Sequence, residues 1–168
     1  MATTAFPCPA SGGAVLKVAS DPSRRLTADI DRVIEYFNAR KLDLPDGLFD
    51  RKTQFVINGA PFETLLGQPP NDPLVLMLTR GPAGFRFTTK TLQHALPDAK
   101  IERGDIEDGG PVVVVKLWLA GTLRGSGGKV NSVVSVALRM APAGYVEVAE
   151  ATIDPAVLDQ LRLARVLP

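Results

Sequence analysis

Few side chains in this sequence could carry out acid–base chemistry at neutral pH. His94 is the only histidine, and imidazole is the side chain that ordinarily titrates in this range. It precedes Leu96 near the end of a predicted helix, so it is either a general base or a residue that caps the helix. Glu147 and Glu150 lie on opposite faces of a predicted strand. At most one of them can point into an apolar interior. Apolar surroundings suit a carboxyl group to acid–base catalysis.

Asn58 is a third candidate, because its amide could form hydrogen bonds with a ligand. Gly59 follows it, and Asn-Gly is also a common turn pair between two strands. Both interpretations remain open at this point. The glycine-rich run at residues 124–129 is not a phosphate-binding loop, because Leu123 and Val130 stand where that motif needs Gly and Ser or Thr.

The acidic residues, His94 and Cys8 show no spacing typical of a metal site or of a nucleophile and its base. We therefore expect no metal and no cofactor. The single cysteine, Cys8, cannot form an internal disulfide, and we interpret it as a bystander thiol.

Length and composition indicate one compact domain. The chain has 168 residues, of which 45% are hydrophobic and 22% charged, as in ordinary globular proteins. Nineteen basic and eighteen acidic residues leave a net charge of +1, which disfavours nucleic acid and anionic membranes as partners. With no apolar run long enough for a signal peptide or a membrane span, we expect a cytoplasmic protein.

The first half of the chain reads mainly as helices. Residues 1–20 mix small residues with Pro and Gly and predict a flexible or irregular arm, and residues 21–168 predict a single domain. Asp21 and Pro22 form a helix start signal, and the helix should run to about Arg40. Its predicted core face consists of apolar residues at helical spacing: Leu26, Ile30, Val33, Ile34 and Phe37.

The segments after this helix alternate between short elements and loops. Residues 42–49 predict a second short helix, and residues 54–61 a strand that turns at Asn58. Residues 64–73 predict a loop. The apolar run 73–80 is either a helical turn or a strand, which periodicity cannot separate. Residues 82–96 predict a helix that opens at Gly81-Pro82.

After residue 98 the pattern changes to the period of two that is typical of strands. In residues 112–120 every odd position is a large apolar residue, so that one face belongs to the core. Residues 130–140 show the same alternation, and a third strand follows at residues 145–153. Asp154 and Pro155 then repeat the start signal of the first helix. The whole pattern predicts an α+β fold with helices first and a mainly antiparallel sheet second.

The order of these elements resembles the SnoaL-like branch of the nuclear transport factor 2-like superfamily over roughly residues 24–163. The segments that carry the resemblance are GPAGF, LPDAKIERGDIEDGG, VVVVKLWLAGTLRG and VEVAEATIDPAVLDQL. It implies a cone in which a strongly bent, mainly antiparallel sheet wraps over about three helices, with a C-terminal helix after the sheet. It also implies an apolar pocket and, often, a homodimer formed by the outer face of the sheet.

The catalytic residues of the enzymes in this superfamily are not found at the matching positions of this chain. Positions that are acids in the ketosteroid isomerases align with Ile57 or Asn58 and with Ser135 or Val136. Leu123 stands near the place of a cyclase histidine, and Ala151 near that of an epoxide hydrolase acid. Because fold alone does not determine activity, the resemblance leaves open whether the protein is an enzyme. If it is one, we expect a cofactor-independent lyase, isomerase, cyclase or hydrolase.

We therefore predict binding of a small hydrophobic metabolite, with a non-enzymatic dimeric scaffold or protein-interaction module as the alternative. Asn58, Glu147 and, more weakly, His94 are the predicted polar groups of the pocket. The predicted wall consists of large apolar residues on the inward faces: Phe37, Phe49, Phe55, Leu117, Leu119, Val136 and Leu138. The predicted homodimer interface consists of outward residues of the two longest strands: Lys116, Trp118, Ser135, Ala137 and Arg139.

Overall fold

The computed structural model describes residues 22–69 and 71–163. Asp21 and the predicted arm at residues 1–20, with Cys8, lie outside the described residues. Five helices and six strands are found within the described part. The helices are α1 (Pro22–Asn38), α2 (Phe62–Leu65), α3 (Pro73–Thr79), α4 (Gly81–Ala95) and α5 (Pro155–Leu163).

The strands form one six-stranded sheet in the order β2-β1-β6-β5-β4-β3. All neighbours are antiparallel except β1 and β6, which run parallel. The predicted α+β class and the mainly antiparallel sheet are confirmed. The strands are β1 (Phe49–Ile57), β2 (Ala60–Pro61), β3 (Lys100–Asp108), β4 (Val112–Thr122), β5 (Lys129–Met140) and β6 (Val146–Thr152).

The inner face of the sheet packs against the helices and forms the core. The odd positions of β4 and the even positions of β5 carry its buried and half-buried side chains, as the period of two predicts. One core cluster joins α1 to the middle of the sheet through Leu26, Ile30 and Val115. A second cluster, around Phe37 and Leu96, lies toward the C-terminal helix. Helices and sheet therefore meet along one apolar layer.

The helix predicted for residues 42–49 is wrong. The chain there has no regular structure until β1 begins at Phe49. Pro45 lacks the backbone donor that a helix needs, and the backbone N–H of Val146 donates to the carbonyl of Leu48 at 2.8 Å. Pairing with β6 thus uses the backbone group that a helix would have occupied.

Other local predictions are settled by capping and turn geometry. The apolar run 73–80 is helix α3, whose Asp72 side chain accepts hydrogen bonds from the backbone of Leu74 and Val75. Helix α4 begins at Gly81 with Pro82 in its first turn, as predicted. Asn58 and Gly59 have φ values of 48° and 80° and form the predicted tight turn between β1 and β2.

Candidate functional site

An apolar cavity of about 250 Å³, here called the inner chamber, lies between the helices and the sheet. Helices α1 and α4 form one side of it, and the inner faces of β1, β4, β5 and β6 form the other. Apart from Thr88 and Thr89, every lining side chain is apolar, and none can ionise. The inner chamber is therefore a neutral, hydrophobic space.

Most of the predicted wall residues line the inner chamber. Alternation along β4 and β5 predicted their inward faces, whereas Phe49 lies there as the first residue of β1 and not as part of the predicted helix. Phe49 and Phe55 contact each other edge to face, with ring centroids 5.4 Å apart. Leu119 lies elsewhere and lines the second cavity described below. The predicted wall residues that line the inner chamber are Phe37, Phe49, Phe55, Leu117, Val136 and Leu138.

A second cavity of about 190 Å³, here called the outer chamber, shares four lining residues with the inner chamber. Phe62 and Leu65 of α2 and Leu158 and Leu161 of α5 line it, and the exposed Arg162 stands at its border. Helices α2 and α5 therefore stand on either side of the space adjoining the inner chamber.

The two threonines of the inner chamber differ in their hydrogen bonding. The hydroxyl of Thr88 donates to the carbonyl of Gly84 at 2.8 Å, one turn earlier in α4. The Thr89 residue is 5% exposed, and within residues 22–69 and 71–163 its hydroxyl has no hydrogen-bond partner. Thr89 is thus the polar group of the chamber wall whose hydrogen-bonding capacity is not used.

Thr89 was missed in the sequence because the run FRFTT favours a strand while the residues after it favour a helix. Once the segment is treated as one helix, Thr89 falls four residues after Phe85 and three before Leu92. It therefore shares their inward face. The helical spacing was the signal that could have found it.

Asn58 does not reach either chamber, so its predicted role as a pocket group is wrong. Its side-chain nitrogen donates to the carbonyl of Ile153, and its side-chain oxygen accepts from the Ile153 backbone N–H, both at 2.9 Å. The amide thus ties the β1–β2 turn to the end of β6. The turn interpretation of Asn-Gly is the correct one.

Glu147 does not line the chambers, and its predicted place in the pocket is also wrong. Met140 pairs with Val146 while Arg139 pairs with Val148, so Glu147 is the additional residue of a β-bulge and is exposed. The bulge shifts the alternation by one residue, which turns Ala149 inward. Glu150 consequently lies beside Ala137 on the outer face.

His94 is exposed in the last turn of α4 and lines neither chamber. The Arg124 guanidinium donates to its backbone carbonyl at 2.7 Å, so the contact involves the backbone of His94 rather than the imidazole. The position agrees with the helix-end interpretation.

A charge pair with a buried carboxylate lies outside both chambers, where α2 meets the start of α4. Glu63 is 2% exposed, and its Oε1 atom lies 3.9 Å from the Arg80 guanidinium. The other carboxylate oxygen and the Arg80 Nε atom are buried without hydrogen-bond partners in the described structure. The sequence reasoning did not single out this pair.

Asp98 is a surface carboxylate whose two oxygens both accept hydrogen bonds. The Thr122 backbone N–H donates to Asp98 Oδ1 at 2.6 Å and the Thr122 hydroxyl to Oδ2 at 2.9 Å. These two hydrogen bonds stabilise the anion and lower the pKa of Asp98 below its ordinary 3.8. Asp98 thus fixes the loop after α4 to the end of β4.

The predicted interface residues all lie on the outer face of the sheet. Lys116 is opposite Ser135, and Trp118 is opposite Val133, in the β4–β5 pair. Trp118 is 51% and Val133 40% exposed. Ala137 and Arg139 follow on the same face of β5, opposite Val114 and Val112. The outer face thus carries exposed apolar side chains, among them Val112 at 37% exposure, alongside polar ones.

Residues 22–69 and 71–163 hold no group of three or more His, Cys, Asp or Glu side chains arranged to bind a metal ion. No helix in those ranges has the length and apolarity that spanning a bilayer requires.

Comparison with known families and with curated proteins found no match for this sequence. Comparison with solved structures did. TerC co-crystallised with polyporic acid has a TM-score of 0.60 at 14% identity, covering 85% of this chain and 99% of TerC. IdmH, a candidate polyketide cyclase from Streptomyces antibioticus, has a TM-score of 0.58 at 21% identity, covering 84% of this chain and 98% of IdmH.

A candidate SnoaL-like polyketide cyclase from Jannaschia sp. CCS1 is similar to the same extent. Its TM-score is 0.57 at 14% identity, and the match covers 84% of this chain and 92% of the cyclase. At such low identities the likeness concerns the fold and carries no activity with it. The resemblance inferred from the order of elements is confirmed: this chain has the cone-shaped α+β fold of the SnoaL-like branch of the nuclear transport factor 2-like superfamily.

Proposed function

We propose that the protein binds a small, neutral, hydrophobic molecule in the inner chamber. The observation that carries the proposal is the cavity of about 250 Å³ with an apolar wall and two threonines. Ordinary cores are packed nearly without voids of this size, and concave apolar cavities with few polar groups are typical of small-molecule sites. A space that folding leaves open at this position therefore has a ligand as its simplest explanation.

The size of the inner chamber limits the ligand. An apolar cavity of about 150 Å³ holds one benzene ring, so by volume about 250 Å³ corresponds to a fused bicyclic compound. Because no ionisable side chain lines the wall, a charged ligand would lose its hydration without gaining a partner, at a cost of several kcal/mol. The favoured ligand is a bicyclic compound or a terpenoid of similar size, without a charge.

The same wall favours binding over acid–base catalysis. Cyclisation, isomerisation and hydrolysis need a positioned group that moves a proton, and the three candidate groups, Asn58, Glu147 and His94, do not line the chamber. The likeness to candidate cyclases supports the alternative, a reaction in which the wall only holds a reactive substrate in one conformation. Turnover of a bound compound would favour that alternative.

Isothermal titration with tetralin, a neutral fused bicyclic hydrocarbon, tests the proposal. We expect binding to the wild-type protein and its loss in Ala149→Phe, because Ala149 lines the inner chamber and a phenyl ring there would fill it. Ala120→Phe is the matched control, since Ala120 is exposed on β4 and lines neither chamber. Absence of tetralin binding to the wild type, or equal binding to Ala149→Phe, contradicts the proposal.

A second proposal concerns the outer face of the sheet, which would join two copies of the chain. The observation in favour is the cross-strand pair of Trp118 and Val133, 51% and 40% exposed, because exposed large apolar side chains next to each other are typical of interfaces. Without a ligand, this surface would make the protein a dimeric scaffold or protein-interaction module.

Light scattering of Ala137→Arg tests this interface. Ala137 is half-buried in the middle of the outer face, so an arginine there would be desolvated without a partner in the dimer, at a cost of about 3 kcal/mol. We expect a wild-type dimer and a monomeric variant at micromolar concentration. A monomeric wild type would contradict the interface and leave the chamber proposal unaffected.

A further inference from the structure

Thr89 combines three properties that no other described residue of the inner chamber shares. It lines the cavity, it is 5% exposed, and within the described ranges its hydroxyl has no hydrogen-bond partner. Thr88, the other lining threonine, donates to the Gly84 carbonyl. Thr91, which lines the outer chamber, donates in the same way to the carbonyl of Phe87 at 2.9 Å.

A hydroxyl at the wall of an apolar cavity without a hydrogen-bond partner in the protein is unfavourable, because it loses most of its hydrogen bonds to bulk water and gains none from the protein. Buried polar groups in folded proteins are nearly always satisfied. The neighbouring threonines satisfy their hydroxyls by bonding to the preceding turn of the same helix. Since Thr89 does not, a bound molecule is the partner that would satisfy its hydroxyl.

We propose that Thr89 is the ligand-orienting residue of the inner chamber and selects neutral ring compounds that carry one carbonyl or hydroxyl group. The inference rests on the proposed binding function and adds the chemical class of the ligand. The Thr89 hydroxyl donates to a ligand carbonyl or accepts from a ligand hydroxyl. The surrounding wall, which includes Phe49, Phe85 and Leu117, contacts the hydrocarbon part.

The arrangement also determines which ligands the site distinguishes from one another. A hydrocarbon fills the chamber but leaves the Thr89 hydroxyl unpaired, whereas the matching ketone pairs it. Selection between two such molecules depends on one hydrogen bond, which contributes a few-fold to roughly tenfold in affinity. A charged group is rejected because a single neutral hydroxyl cannot replace its hydration.

The test compares tetralin with α-tetralone, which has the same ring system and one added carbonyl. The dissociation constants of both are measured by isothermal titration for the wild type, Thr89→Val and Thr88→Val. Valine keeps the size of threonine and removes the hydroxyl. Thr88→Val is the matched control, because Thr88 lines the same chamber but its hydroxyl donates to the carbonyl of Gly84.

We expect Thr89→Val to weaken α-tetralone by about 3- to 10-fold and to leave tetralin within about twofold. Thr88→Val should leave the ratio of the two constants unchanged. Thr89→Ser retains a hydroxyl and should keep the preference for the ketone. If Thr89→Val does not fold, Thr89→Ser and Thr89→Ala are compared instead.

Failure of this inference differs from failure of the proposed function. Suppose that tetralin and α-tetralone both bind the wild type, and that the ratio of their dissociation constants is the same in the wild type, Thr89→Val and Thr88→Val. Thr89 then does not orient the ligand, and the inference is overturned while binding stands. If neither compound binds the wild type, both the inference and the proposed function are overturned.

Discussion

The inner chamber and the place where α2, α3 and α4 meet are built in opposite ways. The chamber leaves about 250 Å³ open and is lined by apolar residues and two threonines. The helix junction, formed by Glu63, Thr79, Arg80, Gly81 and Gly84, holds the buried Glu63 carboxylate beside the partly exposed Arg80 side chain. It is packed so tightly that a Cβ atom on Gly84 would lie 2.3 Å from the Thr79 carbonyl oxygen.

The contrast shows that the fold keeps charged and closely packed groups apart from the open, neutral cavity. Buried charge and close backbone contact are concentrated at the helix junction, which sets the position of α4. The chamber wall that α4 contributes can then stay neutral and unfilled. A ligand in the chamber consequently meets the apolar face of α4 and the hydroxyl of Thr89, but none of the charges that position the helix.

The largest expected effect comes from a substitution that adds atoms at the helix junction. Gly84→Ala should destabilise the protein by about 3 kcal/mol, because the Thr79 backbone must move to make room. Gly128→Ala is the control, since its nearest neighbours would lie at 3.4 Å, and it should change the free energy of unfolding by less than about 1 kcal/mol. Urea unfolding measures both, and equal effects would contradict the contrast in packing.

Removing the buried charge should have a smaller effect. Glu63→Met leaves the guanidinium of Arg80 without its partner and should cost about 2 kcal/mol, less than a fully buried pair because the Arg80 side chain is 34% exposed. The double variant Glu63→Met/Arg80→Met removes both charges and should recover most of this loss. Chemical denaturation decides between the variants, and a single variant as stable as wild type would show that the charges do not depend on each other.

Asp98 extends the comparison to an exposed carboxylate whose two oxygens both accept hydrogen bonds. Replacing it should have the smallest of the three effects on stability. Hydrogen bonds from Thr122 lower the pKa of Asp98 below 3.8 in the folded state. Its contribution to stability is therefore complete above that value and is lost as the pH falls through the lower folded-state pKa. The difference in unfolding free energy between wild type and Asp98→Asn should shrink from about pH 6 to about pH 2. A difference that does not depend on pH would contradict this interpretation.

The sequence was sufficient for the sheet and most of the chamber wall because alternation along β4 and β5 determines which side chains face inward. It was also sufficient for the Asn58–Gly59 turn, where the residue types determine the backbone conformation. The order of elements then led to the correct fold, although no single motif was specific.

The polar residues of the site could not be predicted with the same success, for two physical reasons. The bulge at Glu147 shifts the alternation by one residue, and nothing in the local sequence specifies it. Helical spacing could have placed Thr89 on the inward face, but not its unpaired hydroxyl, because a threonine in a helix usually donates to the preceding turn. Whether it does depends on a rotamer that the sequence does not determine. The Leu48–Val146 hydrogen bond likewise depends on tertiary pairing.

The most direct test of the neutral chamber is the affinity of tetralin relative to its ring carboxylate at neutral pH. Both molecules have the same hydrocarbon body, and they differ in one ionised group. Since no described lining residue is charged, we predict that tetralin binds and that the carboxylate binds at least about 100-fold more weakly. Equal or tighter binding of the carboxylate would mean that a cation reaches the bound ligand, and it would contradict a neutral inner chamber.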